Sequence, residues 1–296
     1  MNLATMPDSL ITRAMHTAQT SRSIGALLMD AGRISADAAE QILALQKEKG
    51  LRFGEAAIEL GFLSADDLQH ALSRQYDYPY LMPGDDSISP EVIAAFKPFS
   101  PAVERLRALR SQLMLRSLNP DSNNRSLAIV SPGNGEGRSY IAANLAVVFS
   151  QLGERTLLID ADLRTPRQHL LFCLDNQTGL SAILSGRAEA HAVIQRIPKL
   201  LGLSVLPAGA IPPNPQELLG RPSFDSLLAY CREHFDVILI DTPAGQTADA
   251  EMIAAHAGAA LAIGRKHVTS TDRLQAQVRS LQGGGTAVVG AVLNEF

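Results

Sequence analysis

Ser131–Tyr140, SPGNGEGRSY, follows the apolar run SLAIV (Ser126–Val130) and leads into IAANLAVVFSQLG (Ile141–Gly153). A β-rich run, a glycine-rich turn and a helical pattern, in that order, place the turn between a strand and the N-terminus of a helix. Gly135 and Gly137 free the backbone to turn N–H groups inward, an anion nest at the positive end of a helix dipole. The stretch reads as a phosphate-gripping loop with Gly133, Asn134, Gly135, Glu136, Gly137, Arg138, Ser139 and Tyr140 as candidate contacts. It departs from G-x-x-x-x-G-K-[ST] at Pro132 and at Arg138. Arginine keeps the charge and can hold phosphate oxygens bidentately, but its planar fork differs from a compact ammonium. Slight misplacement of a γ-phosphate costs about 10²-fold in rate, so Arg138 preserves nucleotide binding and puts phosphoryl transfer in question.

Outward from the loop the alternation continues. RTLLIDAD, LSVLPAG, DVILIDTP, AALAIG and TAVVGAVLN are short apolar runs separated by helical patterns. That is an α/β pattern with a parallel sheet covered on both faces, and such sheets bind ligands at the carboxyl ends of their strands. Asp160 and Asp162 close one run and Asp241 another. A carboxylate at the end of a buried strand is costly unless a cation or donors meet it. Magnesium carried on ATP phosphates would meet Asp162 and Asp241, with Ser139 as a further oxygen ligand.

The region before the loop is of another kind. SIGALLMDAGRISADAAEQILALQ (Ser23–Gln46) aligns with RFGEAAIELGFLSADDLQHALSRQ (Arg52–Gln75), pairing Gly25 with Gly54, Gly32 with Gly61 and Gln46 with Gln75. Each copy predicts a short helix stopped by glycine, then Ser-Ala-Asp capping a second amphipathic helix. YDYPYLMPGDDSISPEVIAAFKP interrupts the helical pattern with prolines and a Gly-Asp-Asp turn, and predicts a linker. The expected organisation is a flexible N-terminus over 1–20, a duplicated helical domain over 21–80, a linker over 81–98 and the α/β domain over 99–296.

Bulk composition adds exclusions. An apolar share of 46% and a net charge of -4 describe a globular chain, not a polycation that wraps nucleic acid. Cys173 and Cys231 form no disulfide framework or metal knuckle, which predicts two buried thiols in a reducing cytoplasm. The most apolar window, Ala254–Gly264, is about half a membrane span, so a membrane role is expected through a partner.

Residues from about Phe99 onward resemble the cytoplasmic tyrosine kinases of bacterial polysaccharide export, the BY-kinases, a P-loop class with deviant Walker motifs and a ParA/MinD-like fold. The matching stretches are GEGRS, LLIDADLRTPRQH, ILIDTPA and PAGAIPPNPQELL, with ERLRALRSQL supplying E-x-x-R-x-x-R at Glu104, Arg107 and Arg110. Arg138 together with a fused helical domain looks most similar to the EpsG-type members. The resemblance implies an ATP- and Mg²⁺-dependent autokinase that regulates exopolysaccharide polymerisation and chain length. Gly135, Gly137, Arg138 and Ser139 would hold phosphates and metal. Asp162 and Asp241 would position the metal, directly or through water, Asp160 would take the proton of an incoming tyrosine, and Arg164 would orient that strand end or the transferring phosphate. His169 takes the family's R-x-P-x-x-H position and would be a packing residue or a support behind the site residues. It further implies a homo-oligomer built through Glu104, Arg107 and Arg110, and a membrane polysaccharide co-polymerase or chain-length determinant as partner, holding the protein peripherally at the inner membrane.

The duplicated region resembles the MshEN class of type II secretion ATPases, whose paired units can bind cyclic di-GMP. The residues this implies are Arg22, Gly25, Gly32, Gln46, Arg52, Phe53, Gly54, Gly61 and Gln75, although Ser23 stands where an arginine belongs and Ala39 replaces a leucine. A plain docking module is the alternative there. The chain has no tyrosine after Tyr230, whereas most of these kinases carry a tyrosine-rich tail. A nucleotide-gated scaffold is the main competing function; a ParA/MinD-like positioning ATPase is a third, disfavoured by Gly133, where such loops usually carry lysine, and by the PPNPQELL stretch.

Overall fold

The computed structural model describes residues 23–30, 32–64, 67–68, 80–82, 84–118, 125–245 and 248–296. Arg22 and Gln75 lie outside the described residues. The chain divides into two compact units, Met1–Pro79 and Tyr80–Phe296.

In the first unit the repeat takes shape as α1 (Ile24–Asp30), α2 (Ala36–Lys49) and α3 (Phe53–Glu59). Ser35 and Ser64 both cap as expected. Ser35 Oγ accepts from the Ala38 N–H at 3.2 Å, and Ser64 Oγ accepts from the Asp67 N–H at 3.1 Å. Gly32 and Gly61 reverse the chain at equivalent places with φ of +65° and +73°, which a Cβ would penalise. Gly25 and Gly54 are packing positions. A Cβ on Gly25 would stand 3.1 Å from the Phe53 ring, and one on Gly54 would stand 2.4 Å from Leu68. Leu28, Ile34, Ala38, Ala39, Ile42, Ala56, Ala57 and Leu63 form the small core.

The second unit is built on seven strands: β1 (Ser126–Val130), β2 (Thr156–Asp160), β3 (Gln195–Arg196), β4 (Leu203–Leu206), β5 (Val237–Asp241), β6 (Ala259–Arg265) and β7 (Ala287–Asn294). They lie in the order β3-β4-β2-β5-β1-β6-β7, parallel except for β3 at one edge. The main helices of this unit are α4 (Pro101–Arg116), α5 (Arg138–Ser150), α6 (Pro222–His234), α7 (Ala248–Ala257) and α8 (Thr271–Gly283). Alternate residues of β1 face opposite layers. Leu127 and Ile129 pack with Leu145 and Phe149 of α5, while Ala128 and Val130 pack with Phe224 of α6 and Ile253 of α7. β7 is a partly exposed edge strand, unlike the fully buried run its apolar sequence predicts.

The expected linker over 81–98 is instead part of the second unit. Leu81, Ile88, Val92, Ala94 and Ala95 are all buried in the layer that contains α5. The prolines and turn residues do break regular structure, but the apolar side chains between them cover α5, which is apolar nearly all round and needs a second cover. Asn144 fastens this strap. Its Oδ1 accepts from the Ala94 N–H at 2.9 Å, and its Nδ2 donates to the carbonyls of Glu91 at 3.1 Å and Tyr140 at 2.9 Å. Of the two thiols expected to be buried, Cys231 is, and burial pushes it up to about 12; Cys173 is exposed at a turn with φ +50°. Among the described residues no helix is long and apolar enough to cross a membrane.

Asn144→Ala removes these three hydrogen bonds, that of the buried Ala94 N–H among them, and should lower unfolding stability by about 1–3 kcal/mol in urea titration, with faster hydrogen exchange over 92–96. Unchanged stability and exchange would contradict the strap.

Candidate nucleotide site

The 131–137 loop leaves β1 and turns into α5 at Gly137, where φ is +90° and a Cβ would stand 2.0 Å from Asn294 Nδ2. Its carbonyls are held from outside. Arg265 donates to the Gly135 carbonyl at 3.3 Å and Asn294 Nδ2 to that of Glu136 at 3.3 Å. Glu136, expected as a phosphate contact, folds back under the loop. Its buried carboxylate accepts from the Gly133 N–H at 2.8 Å and from the Thr269 hydroxyl. It is a staple, and it removes one N–H from the nest. The N–H groups that open α5, with no side-chain cap, are backbone donors left for an anion. Beside them lies an open cavity of about 960 Å³ lined by Gly135, Gly137, Tyr140, Arg265, Asn294 and Phe296 among others.

Strands β2 and β5 are neighbours, and their register sets Asp160 opposite Asp241. Arg138, the first residue of α5, is 7% exposed and turns into this acidic end of the sheet. Its Nε donates to Asp241 Oδ1 at 3.1 Å, its Nη2 to Asp162 Oδ2 at 3.1 Å and its Nη1 to Ser131 Oγ at 2.9 Å. The side chain expected to reach for phosphate is thus held between two carboxylates, because unpaired buried charges would cost more than any exposed contact returns.

Each oxygen of both carboxylates accepts at least one hydrogen bond from the chain. Asp162 Oδ1 accepts from the N–H groups of Arg164 at 3.1 Å and Thr165 at 2.8 Å, and its Oδ2 also takes the Thr165 hydroxyl at 3.0 Å. Asp241 Oδ2 accepts from Gln168 Nε2 at 2.8 Å. Burial pushes Asp241 above the ordinary carboxylate range despite the opposing pull of Arg138, Ser139 and Gln168. Direct coordination of magnesium by Asp162 and Asp241 does not fit this arrangement, since every oxygen of the acid pair already has a donor of the chain and the guanidinium lies between them. Among the described residues no group of three or more His, Cys, Asp or Glu side chains could hold a metal ion.

Asp160 is wholly buried. Its Oδ1 accepts from the Asp162 N–H at 3.2 Å, and its Oδ2 from the N–H groups of Arg167 at 3.0 Å and Gln168 at 2.9 Å. Burial first, and then the charge of Asp241, push its carboxyl well above the usual range. Through these bonds it orders the 160–168 turn. Arg164 points to Asp249 of α7 at 2.7 Å rather than toward a phosphate. His169 is half-buried, and burial lowers its imidazole below the ordinary histidine range. The E-x-x-R-x-x-R residues are only partly a surface stripe. Glu104 is exposed and pairs with Arg107, whose side chain is 14% exposed, while Arg110 donates to the Val148 carbonyl at 2.9 Å.

Sequence reasoning missed Gln168, which also donates to the Ser139 carbonyl at 3.1 Å, and missed Thr165, Ser131, Arg265 and Asn294. Asn294 and Arg265 end strands, and that placement was the signal available for them. Nothing local singles out Gln168.

A glycine-rich loop opening a helix, with aspartates at two adjacent strand ends, defines a P-loop nucleotide-binding α/β unit. The family model for cellulose biosynthesis protein BcsQ matches residues 126–284. Tyrosine-protein kinase etk of Escherichia coli (strain K12) is 34% identical over 203 residues, 68% of this chain but 28% of that protein, so the chain spans well under a third of that relative. The solved kinase domain of E. coli tyrosine kinase ETK matches with TM-score 0.67 and 32% identity, covering 74% of this chain and 85% of that one. The cell division ATPase MinD of Pyrococcus furiosus matches with TM-score 0.52 and 27% identity, covering 58% and 72%. The chain belongs to the BY-type bacterial tyrosine kinase family, on a MinD-like P-loop fold.

Arg138→Ala would leave Asp162 and Asp241 facing each other without a cation. It should cost about 3–5 kcal/mol of stability by urea unfolding, and a loss under about 1 kcal/mol would contradict the buried pairing.

Proposed function

We propose that the chain is an ATP-dependent protein tyrosine kinase acting in exopolysaccharide production. The observation that carries this reading is the 131–139 loop set against Asp162 and Asp241, within a family of bacterial tyrosine kinases. Phosphoryl transfer asks mainly for positioning and electrostatic stabilisation. In this reading the N–H groups opening α5 and the Ser139 hydroxyl hold phosphate oxygens, and the adjoining cavity receives the rest of the nucleotide. Arg138 sets the charge balance beneath the phosphates. A polysaccharide setting is supported by the family model, whose own description concerns cellulose biosynthesis. Control of polymerisation and chain length, a membrane co-polymerase as partner, and assembly of copies through Glu104, Arg107 and Arg110 complete the proposal. Glu104 is the member of that stripe most open to a neighbour.

We assign the first unit a regulatory role with cyclic di-GMP as ligand. Its support is the matched pair of capped units and the exposed Arg52 at the start of the second. Gly25 and Gly54 serve packing and belong to the ligand only through the shape they permit.

A second reading, a nucleotide-gated regulator without kinase activity, is favoured by one observation: the engagement of Arg138 with the acid pair. Phosphate transfer from γ-labelled ATP in magnesium buffer, with tyrosine mapping, separates the two. Label on a tyrosine, reduced about 100-fold or more in Asp241→Asn by misplaced phosphates, is the expected result. Nucleotide binding without label would establish the regulator instead. Calorimetry with cyclic di-GMP should give binding that weakens at least about tenfold in Arg52→Ala, as loss of a phosphate-directed charge requires; no heat with the intact chain would make the unit a docking module.

A further inference from the structure

We infer that Arg138 does, from within the chain, the bridging that a divalent cation would do between Asp162, Asp241 and the phosphates of a nucleotide, so that nucleotide binds without a metal at the acid pair. The inference rests on the nucleotide-site reading above.

A guanidinium carries five N–H donors in a plane and no acceptor, and stays charged at any working pH. Arg138 spends three of them, one on each of its nitrogens, on Asp241, Ser131 and Asp162. One N–H remains on Nη1 and one on Nη2. A single cation can therefore neutralise the acid pair on one side and still offer donors to phosphate oxygens. A lysine ammonium is a compact point charge with three donors and a different reach, and it leaves carboxylate oxygens open to an ion.

Displacement by magnesium is disfavoured on two counts. The guanidinium is 7% exposed and fixed at three points, and Asp162 has its remaining acceptor capacity filled by Arg164 and Thr165. Magnesium, for its part, dehydrates reluctantly and demands near-octahedral oxygen geometry. Arg138 is thus the feature that sets the metal dependence of binding at this site.

The test uses the full chain and fluorescent N-methylanthraniloyl-ADP, titrated in EDTA and in magnesium, with manganese binding followed separately by electron paramagnetic resonance without nucleotide. Wild type should bind the nucleotide within about threefold equally in the two buffers and should not take up manganese at the acid pair. Arg138→Lys should bind at least about tenfold more weakly in EDTA than in magnesium and should gain a manganese site, which Asp162→Asn removes. Circular dichroism establishes that the lysine variant is folded; if it is not, the two wild-type measurements decide alone. Wild-type binding that needs magnesium, or a wild-type manganese site lost in Asp162→Asn, overturns the inference and leaves the nucleotide site standing. No nucleotide binding in either buffer overturns the site itself, and the inference with it.

Discussion

One guanidinium held between two buried carboxylates organises the carboxyl end of the sheet. Asp241 closes β5, Asp162 stands just beyond β2, and neither has access to water. Each would be untenable as a lone charge in that position. Arg138 reaches both because Gly137 turns the chain into α5 at that point, and Ser131 holds the third nitrogen from the start of the same loop. The phosphate loop, the β2 end and the β5 end are therefore one electrostatic unit. Asp160 belongs to it too, its carboxyl pushed well above the usual range by burial and by the charge of Asp241.

The rest of the second unit holds that arrangement in place. Helix α5 is gripped from the sheet on one side and from the 81–96 strap on the other, with Asn144 and Gln151 donating to or accepting from strap backbone. The loop is pinned from β6 and β7 by Arg265 and Asn294, and internally by Glu136. Arg265 also lies 4.0 Å over the Phe296 ring, which ties the wall of the cavity to the loop. Backbone N–H groups presented this way need no reorganisation when an anion arrives, the condition under which they stabilise charge most.

Much of this was legible in the chain. The strand–loop–helix order at 126–150, the parallel sheet and the strand-end aspartates follow from apolar runs bounded by glycine and aspartate. The duplication was legible too, because Ser35 and Ser64 cap by local hydrogen bonds and Gly32 and Gly61 turn by local φ. What escaped was nonlocal. The direction of Arg138 depends on two carboxylates 24 and 103 residues away in sequence, and the inward fold of Glu136 depends on Thr269. Composition marked 81–98 as linker because prolines and turn residues dominate it, while its buried side chains find their partners only once α5 is placed. Cys173 was expected to be buried as a small hydrophobe, and its exposure reflects a left-handed turn that no local pattern announces.

The account stands on the position of one side chain when nucleotide is bound. Crystals of the chain with ADP and manganese, measured at an energy where manganese scatters anomalously, show that position directly. The account predicts the Arg138 guanidinium between Asp162 and Asp241, in contact with a phosphate oxygen, and no anomalous peak between the carboxylates. A manganese peak there, with the arginine turned out of the acid pair, would contradict it.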